Sequence, residues 1–194
     1  MAESVSTRPS LLVRIRDRQD HQAWAQFVEI YAPLVYGYAQ KHGLQDADAA
    51  DLTQDVLRAV ARSAPRFEYD PRRGSFRGWL FTVVRNELRD WFSAQRRHAP
   101  GSGDTDAHKR LEQQPAPPDD WEQDYQRQVF SLAVEQVRQD FQESTWRAFW
   151  LTAIEGKTGK EVAGIVGMST AAVYLAKRRV VTRLKEQIEY LQAE

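Results

Sequence analysis

The sequence predicts an all-α protein built as two small helical domains joined by a flexible connector. Three observations carry that reading. Apolar residues recur at helical intervals in both halves, no segment shows the strict alternation of a strand, and a Pro/Gly-rich acidic stretch separates the halves. The length of 194 residues suits one domain or two small ones, and a 42% hydrophobic content supplies material for cores.

The first element runs through Trp24, Phe27, Val28, Tyr31, Leu34, Val35 and Tyr38, which fall on one stripe of a helix. Pro33 interrupts the stripe, so a kink or a restart is expected there. Leu52, Val56, Ala59 and Val60 form a second stripe, entered through Asp48 as N-cap. After the turn-rich run from Tyr69 to Gly74 comes the longest stripe: Phe76, Trp79, Leu80, Val83, Val84, Leu88, Trp91 and Phe92. The segment from His98 to Asp120 holds four prolines and two glycines and few apolar anchors, which marks a linker. The expected boundaries are 1–97 for the first domain, 98–124 for the linker and 125–194 for the second domain. In the second domain Val129, Leu132, Ala133 and Val137 make one stripe, and Trp146, Phe149, Trp150 and Ala153 another. Gly156 closes the latter helix.

Thr158 to Glu161 then fits a capping box, a short helix Glu161–Val166 ends at Gly167, and Ser169 caps a helix running through Lys185. This is the outline of a helix-turn-helix. Val162, Ala163, Val166, Val173, Ala176 and Val180 pack inward, while Tyr174, Lys177 and Arg178 project from a helix slim enough for a major groove. A plain helical hairpin is the structural alternative.

The net charge is zero but segregated. Arg72 to Arg97 carries seven arginines against two acids, and Lys177 to Lys185 carries five basic residues and no acid. That asymmetry fits a polyanion-binding protein, with solvated helix faces as the alternative. Arg72, Arg73, Arg77, Arg85 and Arg89 interleave with Phe76, Trp79, Phe81, Trp91 and Phe92, the pairing that single-stranded recognition uses. Trp79, Trp91 and Phe92 lie on the buried stripe and read as core. Phe76, at the mouth of its helix, is the candidate for a base contact. Asp46, Asp48, Asp51 and Asp55 crowd the second helix, partly because acids favour a helix N-terminus. Asp51 and Asp55, flanking Gln54 on the polar face, suit a basic protein surface.

Several classes are excluded. The chain has no cysteine, so disulfides, zinc-thiolate sites and a catalytic thiol are out. The four histidines never fall at a metal-ligand spacing, so no metal is expected. No apolar run is long enough for a membrane helix and the N-terminus is unlike a signal peptide, so a cytoplasmic chain without membrane attachment is expected. Nothing resembles a nucleophile–base pair or a phosphate-binding glycine loop, so no catalysis and no cofactor are expected.

These residues together resemble a bacterial RNA polymerase sigma factor of the extracytoplasmic-function type, which keeps only sigma domains two and four. The run from Asp48 through Asp51, Leu52, Gln54 and Asp55 to Val56 resembles the family's acidic core-binding helix. The run from Gly74, Ser75, Phe76 and Arg77 to Leu80, with Val84 to Asp90 after it, resembles its loop and helix for the −10 element. Glu161 to Val173 resembles its domain-four helix-turn-helix for the −35 element. The resemblance implies a promoter-specificity subunit whose Asp51, Gln54 and Asp55 bind core polymerase. It assigns −10 DNA to Arg72, Arg73, Ser75, Phe76, Arg77, Asn86 and Arg89. It assigns −35 DNA to Ser169, Thr170, Ala171, Tyr174, Lys177, Arg178 and Arg179. The implied partners are core RNA polymerase, through the β′ coiled coil and the β flap, and promoter DNA; the resemblance also admits an anti-sigma factor. The chain departs from the family in Asp55 for the usual glutamate, in Asp140-Phe141 for a Leu-Pro turn, and in Tyr174, Leu175 and Ala176 of the recognition helix. An ordinary helix-turn-helix regulator with a sensing domain, and a helical protein-interaction module, are the competing readings. A gel shift on promoter DNA with and without core polymerase separates all three.

Overall fold

The computed structural model describes residues 10–66, 76–98, 117 and 119–192. Every regular element among them is helical, and the chain divides into two compact units, Met1–Gln128 and Val129–Ala193.

The first unit starts with α1 (Leu11–Arg14), capped by Ser10, and α2 (His21–Lys41). Asp20 ties them together: it caps α2 through the Ala23 amide at 2.9 Å and receives both Arg14 guanidinium contacts at 2.9 and 3.0 Å. That partnership holds the Asp20 carboxyl below its ordinary pKa. α2 passes through Pro33 without restarting. α3 (Asp46–Ser63) begins two residues before the expected cap, with Gln45 at N-cap and Asp46 and Asp48 in the first turn, where the helix dipole favours acids. A 3₁₀ turn, Ala64–Arg66, follows. α4 (Phe76–His98) has the long apolar stripe, but its interior residues differ in part from the expected ones. Phe76, Leu80, Phe81, Val84, Leu88 and Phe92 are buried, whereas Trp79 and Trp91 are half-buried.

Residues 99–116 of the expected linker lie outside the described residues. Its last part, 119–124, is instead the start of α5 (Asp119–Arg138). Trp121 is buried at right angles to Tyr38, with ring centroids 5.3 Å apart, and Tyr125 stacks on Tyr31 at 5.8 Å. Lys41 pairs with Asp120 at 3.3 Å and with Asp124. Burial in this aromatic cluster pushes the Tyr38 phenol up to about 12. The unit boundary therefore falls inside α5, at Gln128/Val129, a few residues beyond the expected start of the second domain.

The second unit holds the remainder of α5 with α6 (Glu143–Ala153), α7 (Gly159–Val166) and α8 (Thr170–Gln192). Its core joins Ala148, Leu151, Val162, Val173 and Ala176, with Ala163, Val166 and Met168 packed against them. Val129, Leu132, Ala133 and Val137 are buried as expected, but Trp150 of the next stripe is exposed. α7 starts at Gly159, directly after its N-cap Thr158 and two residues before the expected helix range, and α8 runs well past Lys185.

Candidate functional site

The acidic face belongs to α3. Asp51, Gln54 and Asp55 are exposed, while Leu52, Thr53 and Val56 are buried behind them. Thr53 does not add polarity to that face, because its hydroxyl donates to the Ala49 carbonyl at 2.7 Å. The expected carboxylate crowd thins out on inspection. Asp46 accepts hydrogen bonds from Tyr36 at 3.1 Å and Gln40 at 2.7 Å and so is tied to α2. Asp55 pairs with Arg58 one turn on, and both side chains are more than half exposed. Sequence reasoning missed Glu87 of α4. Burial pushes its carboxyl pKa up, and the charges of Asp55 and Asp90 push it further, against the opposing pull of Arg62. The acidic surface of α3 thus extends onto α4.

The expected −10 set is rearranged. Arg72, Arg73 and Ser75 lie outside the described residues. Phe76 is 1% exposed, between Phe27 at 6.0 Å, Tyr31 at 5.6 Å and Trp79 at 5.3 Å. It is a core residue, which corrects the expectation of a base contact: as the first residue of α4 it closes the aromatic core instead of facing the solvent. Arg77 is likewise engaged within its own unit. Its Nε lies 3.0 Å from a Glu122 carboxylate oxygen and its guanidinium caps the Tyr125 ring at 4.6 Å. Asn86 is half-buried and Arg89 exposed on the next turn, with Asp90 at 3.8 Å.

The helix-turn-helix is fully formed. Thr158 and Glu161 exchange reciprocal cap bonds: the Thr158 amide donates to Glu161 at 2.8 Å and the Glu161 amide to Thr158 Oγ1 at 3.3 Å. Gly167 ends α7 at φ +69°, a left-handed conformation that glycine takes without steric cost. Ser169 then accepts from the Ala172 amide at 3.2 Å, as an N-cap should. Ser169, Thr170, Ala171, Tyr174, Arg178 and Arg179 are exposed and Lys177 is half-buried, whereas Val173, Ala176 and Val180 are buried. Arg179 lies 6.0 Å from the Phe141 ring. Ala176 is core, so it takes no part in the exposed face.

One relation escaped the sequence. A side chain at Gly159 would put its Cβ 2.7 Å from the Tyr174 ring. The far end of the Tyr174 side chain rests against Gly159 at the start of α7, while the residue stays 57% exposed. A glycine after an N-cap carries no such signal in the sequence.

The capping box yields a prediction. Thr158→Ala is expected to cost the second unit about 1 kcal/mol. The Thr158 hydroxyl, donating to the Glu161 carboxylate at 2.7 Å, and the Thr158 amide together hold the Glu161 carboxyl below its ordinary pKa. The stabilisation from Glu161 is therefore complete above the unfolded-state value and is lost as pH falls through the lower folded value. Thermal melts of wild type and Glu161→Gln should differ at neutral pH and converge in acid; parallel curves down to low pH would show that the cap contributes nothing through charge.

Among the described residues no helix is long and apolar enough to cross a membrane, and no group of three or more His, Cys, Asp or Glu residues could hold a metal.

The Sigma-70 region 2 family model matches residues 27–98, which run from α2 to the end of α4. The chain is 35% identical over 91 residues to the ECF RNA polymerase sigma factor RpoE of Cereibacter sphaeroides, a match covering 47% of this chain and about half, 49%, of that protein. It is 30% identical over 168 residues to RNA polymerase sigma factor CarQ of Myxococcus xanthus, covering 84% of this chain and 88% of CarQ. Among solved structures it is similar to CnrH in complex with the cytosolic domain of CnrY, with 22% identity, 92% and 95% coverage and a TM-score of 0.38. A Bartonella quintana sigma factor RpoE, solved with the anti-sigma factor NepR, gives 20% identity, 87% and 98% coverage and a TM-score of 0.35.

Proposed function

The chain belongs to the RNA polymerase sigma factors of the extracytoplasmic-function type, and from that premise we propose that it directs core polymerase to promoters by reading −35 and −10 DNA and helping to open the duplex. The observation that carries this reading is the capped helix-turn-helix with a basic, solvent-facing second helix. The acidic α3 face supports the core-binding part. Asp51, Gln54 and Asp55 present charge and hydrogen-bonding groups on a rigid helix whose back is packed, the form that a basic coiled coil would meet. In this reading Asn86 and Arg89 of α4 face the −10 strand, and the β flap, promoter DNA and an anti-sigma factor are the further partners. The gel shift with and without core polymerase tests it: promoter binding that is equally tight and selective without core would replace it with an ordinary helix-turn-helix regulator.

The recognition helix divides its labour by side-chain length. Ser169, Thr170 and Ala171 are short and permit close approach at the tip, with Tyr174 one turn on. Lys177, Arg178 and Arg179 are placed for phosphates. A lost base contact costs about 1–3 kcal/mol and relaxes specificity at one position, whereas a lost phosphate contact weakens all sequences alike and lowers the salt slope by about one unit. Arg178→Ala is therefore expected to act uniformly across −35 variants, and Tyr174→Ala to change which variant is preferred. Gly159→Ala puts a methyl group against the Tyr174 ring, which must shift, and should alter the preference in the same direction. Binding to a small −35 library at two salt concentrations decides it. Equal loss of affinity for every sequence in Tyr174→Ala would move the specificity-bearing face elsewhere on α8.

A further inference from the structure

From Glu161 to Ala176 the chain has no Lys, Arg, Asn or Gln. Those are the side chains that grip guanine or adenine by paired hydrogen bonds in a major groove. The first two turns of α8 therefore lack the usual means of reading a purine. Glu161 is taken up in the capping box, and Ser169 already accepts the Ala172 amide. What this stretch presents instead is apolar. Among the described residues the two most exposed large hydrophobic side chains are Leu175, at 58%, and its neighbour Tyr174.

We propose that Leu175 reads the C5-methyl group of a thymine in the −35 element, with Ala171 as the second wall of the contact. The inference rests on the −35 reading of α8 proposed above and names the chemistry by which that helix selects a base. Ala171 and Leu175 are four residues apart and so neighbours on one helix face, and Arg178 follows three residues on. All three are exposed, whereas Val173, Ala176 and Val180 are buried. Helical side chains lean toward the N-terminus, so Leu175 covers the turn that begins at Ala171, the end of a recognition helix that meets base edges. The far end of Tyr174 rests against Gly159 of α7, while Leu175 stands more exposed still.

Of the four bases in a major groove, thymine alone offers a methyl group. A leucine laid on the donors and acceptors of the other edges would strip them of water and return no hydrogen bond, which costs free energy. Laid on a methyl group it removes apolar surface from water on both sides. The surroundings favour duplex DNA over a protein partner. Ser169 to Lys185 holds five basic residues and no acid, and the residues at its start, Ser169, Thr170 and Ala171, are short enough for a close approach. Arg178, one turn behind Leu175, is placed to hold a phosphate and so to fix the depth of the helix. The same methyl group is carried by 5-methylcytosine, so the experiment must tell the two pyrimidines apart.

The test uses the full chain assembled with core polymerase on duplex promoters that carry the −35 sequence it selects from a randomised library. Each −35 thymine, on either strand, is replaced in turn by deoxyuridine, which removes the methyl group and keeps every hydrogen-bonding group. At one position wild-type affinity should fall about fourfold, the worth of one buried methyl group. Leu175→Ala, an exposed change to a good helix former, should weaken binding to the thymine duplex and lose the response to its methyl group. Leu175→Met, which keeps an apolar side chain, should respond as wild type does. The proposal is overturned if deoxyuridine at every −35 thymine leaves wild type unchanged, if the selected −35 sequence holds no thymine, or if Leu175→Ala keeps the full response. A 5-methylcytosine–guanine pair at the responsive position that binds more tightly than the thymine–adenine pair would assign the contact to methylated cytosine and overturn it for thymine. Equal affinity of wild type and Leu175→Ala for every duplex would overturn it in favour of a protein contact at Leu175. A wild-type assembly that selects no −35 sequence at all would overturn the −35 reading itself, a result separable from any behaviour of the variants.

Discussion

Replacing Phe76 by alanine is expected to cost the first unit about 3–5 kcal/mol of stability, the usual price of truncating a buried phenylalanine. The ring is 1% exposed and meets Phe27, Tyr31 and Trp79 at centroid distances of 5.3 to 6.0 Å. Its removal leaves a cavity bounded by large rings that collapse poorly. Against a total stability of roughly 5–15 kcal/mol for a domain, and about 4–8 °C per kcal/mol for a unit of this size, the melting midpoint should fall on the order of 15 °C or more. Phe76→Leu should fall less, because it keeps most of the apolar volume. Thermal and urea melts of the full chain check both. A variant that melts like wild type but loses promoter opening would return Phe76 to the surface and to the DNA.

That reversal shows what hydrophobic periodicity can and cannot tell. A stripe locates the inner face of a helix, and the helices of both units were legible on that ground, down to the cap residues Thr158, Gly167 and Ser169. Periodicity does not say which element covers each part of a stripe. Phe76 and Trp79 lie on one face of α4, and the sequence offers no means of telling that Phe76 meets the rings of α2 while Trp79 remains half-exposed. Phe81, off the stripe, is buried because Trp121 approaches from α5, with centroids 5.5 Å apart. Trp121 and Tyr125 were themselves hidden by composition. A window rich in proline and acid reads as linker, yet Asp119, Asp120 and Glu122 are the acidic first turn of a helix, and the two aromatics among the acids were the sign that this turn is anchored. The same pairing holds Arg77 half-buried, through partners, Glu122 and Tyr125, that lie 45 and 48 positions further on. The exposed face of α8 was easier to read because it depends on one helix and its own caps.

On the acidic face of α3, Asp51→Arg is expected to weaken association with core polymerase by about 2–5 kcal/mol, the range for a buried charge set against like charge. At 1.4 kcal/mol per tenfold in affinity, that is at least about thirtyfold. Asp51 is exposed and no salt bridge among the described residues engages it, so the substitution breaks no internal partnership. Stability should stay within about 0.5 kcal/mol of wild type, and helix content should not change. Asp55 supplies an internal comparison. Its charge is partly answered by Arg58, and a partner must displace that guanidinium before using the carboxylate, so Asp55→Arg should weaken association less than Asp51→Arg. Glu189→Arg makes the same change in net charge on an exposed position of α8 and separates a local contact from a long-range field, which salt screens beyond about 8–10 Å. Pull-downs and titrations against core polymerase at two ionic strengths read all three variants. The order expected is a large loss for Asp51→Arg, a smaller loss for Asp55→Arg and wild-type affinity for Glu189→Arg. Equal losses in all three would mean that net charge alone governs the encounter, and wild-type affinity in Asp51→Arg would place the core-binding surface off α3.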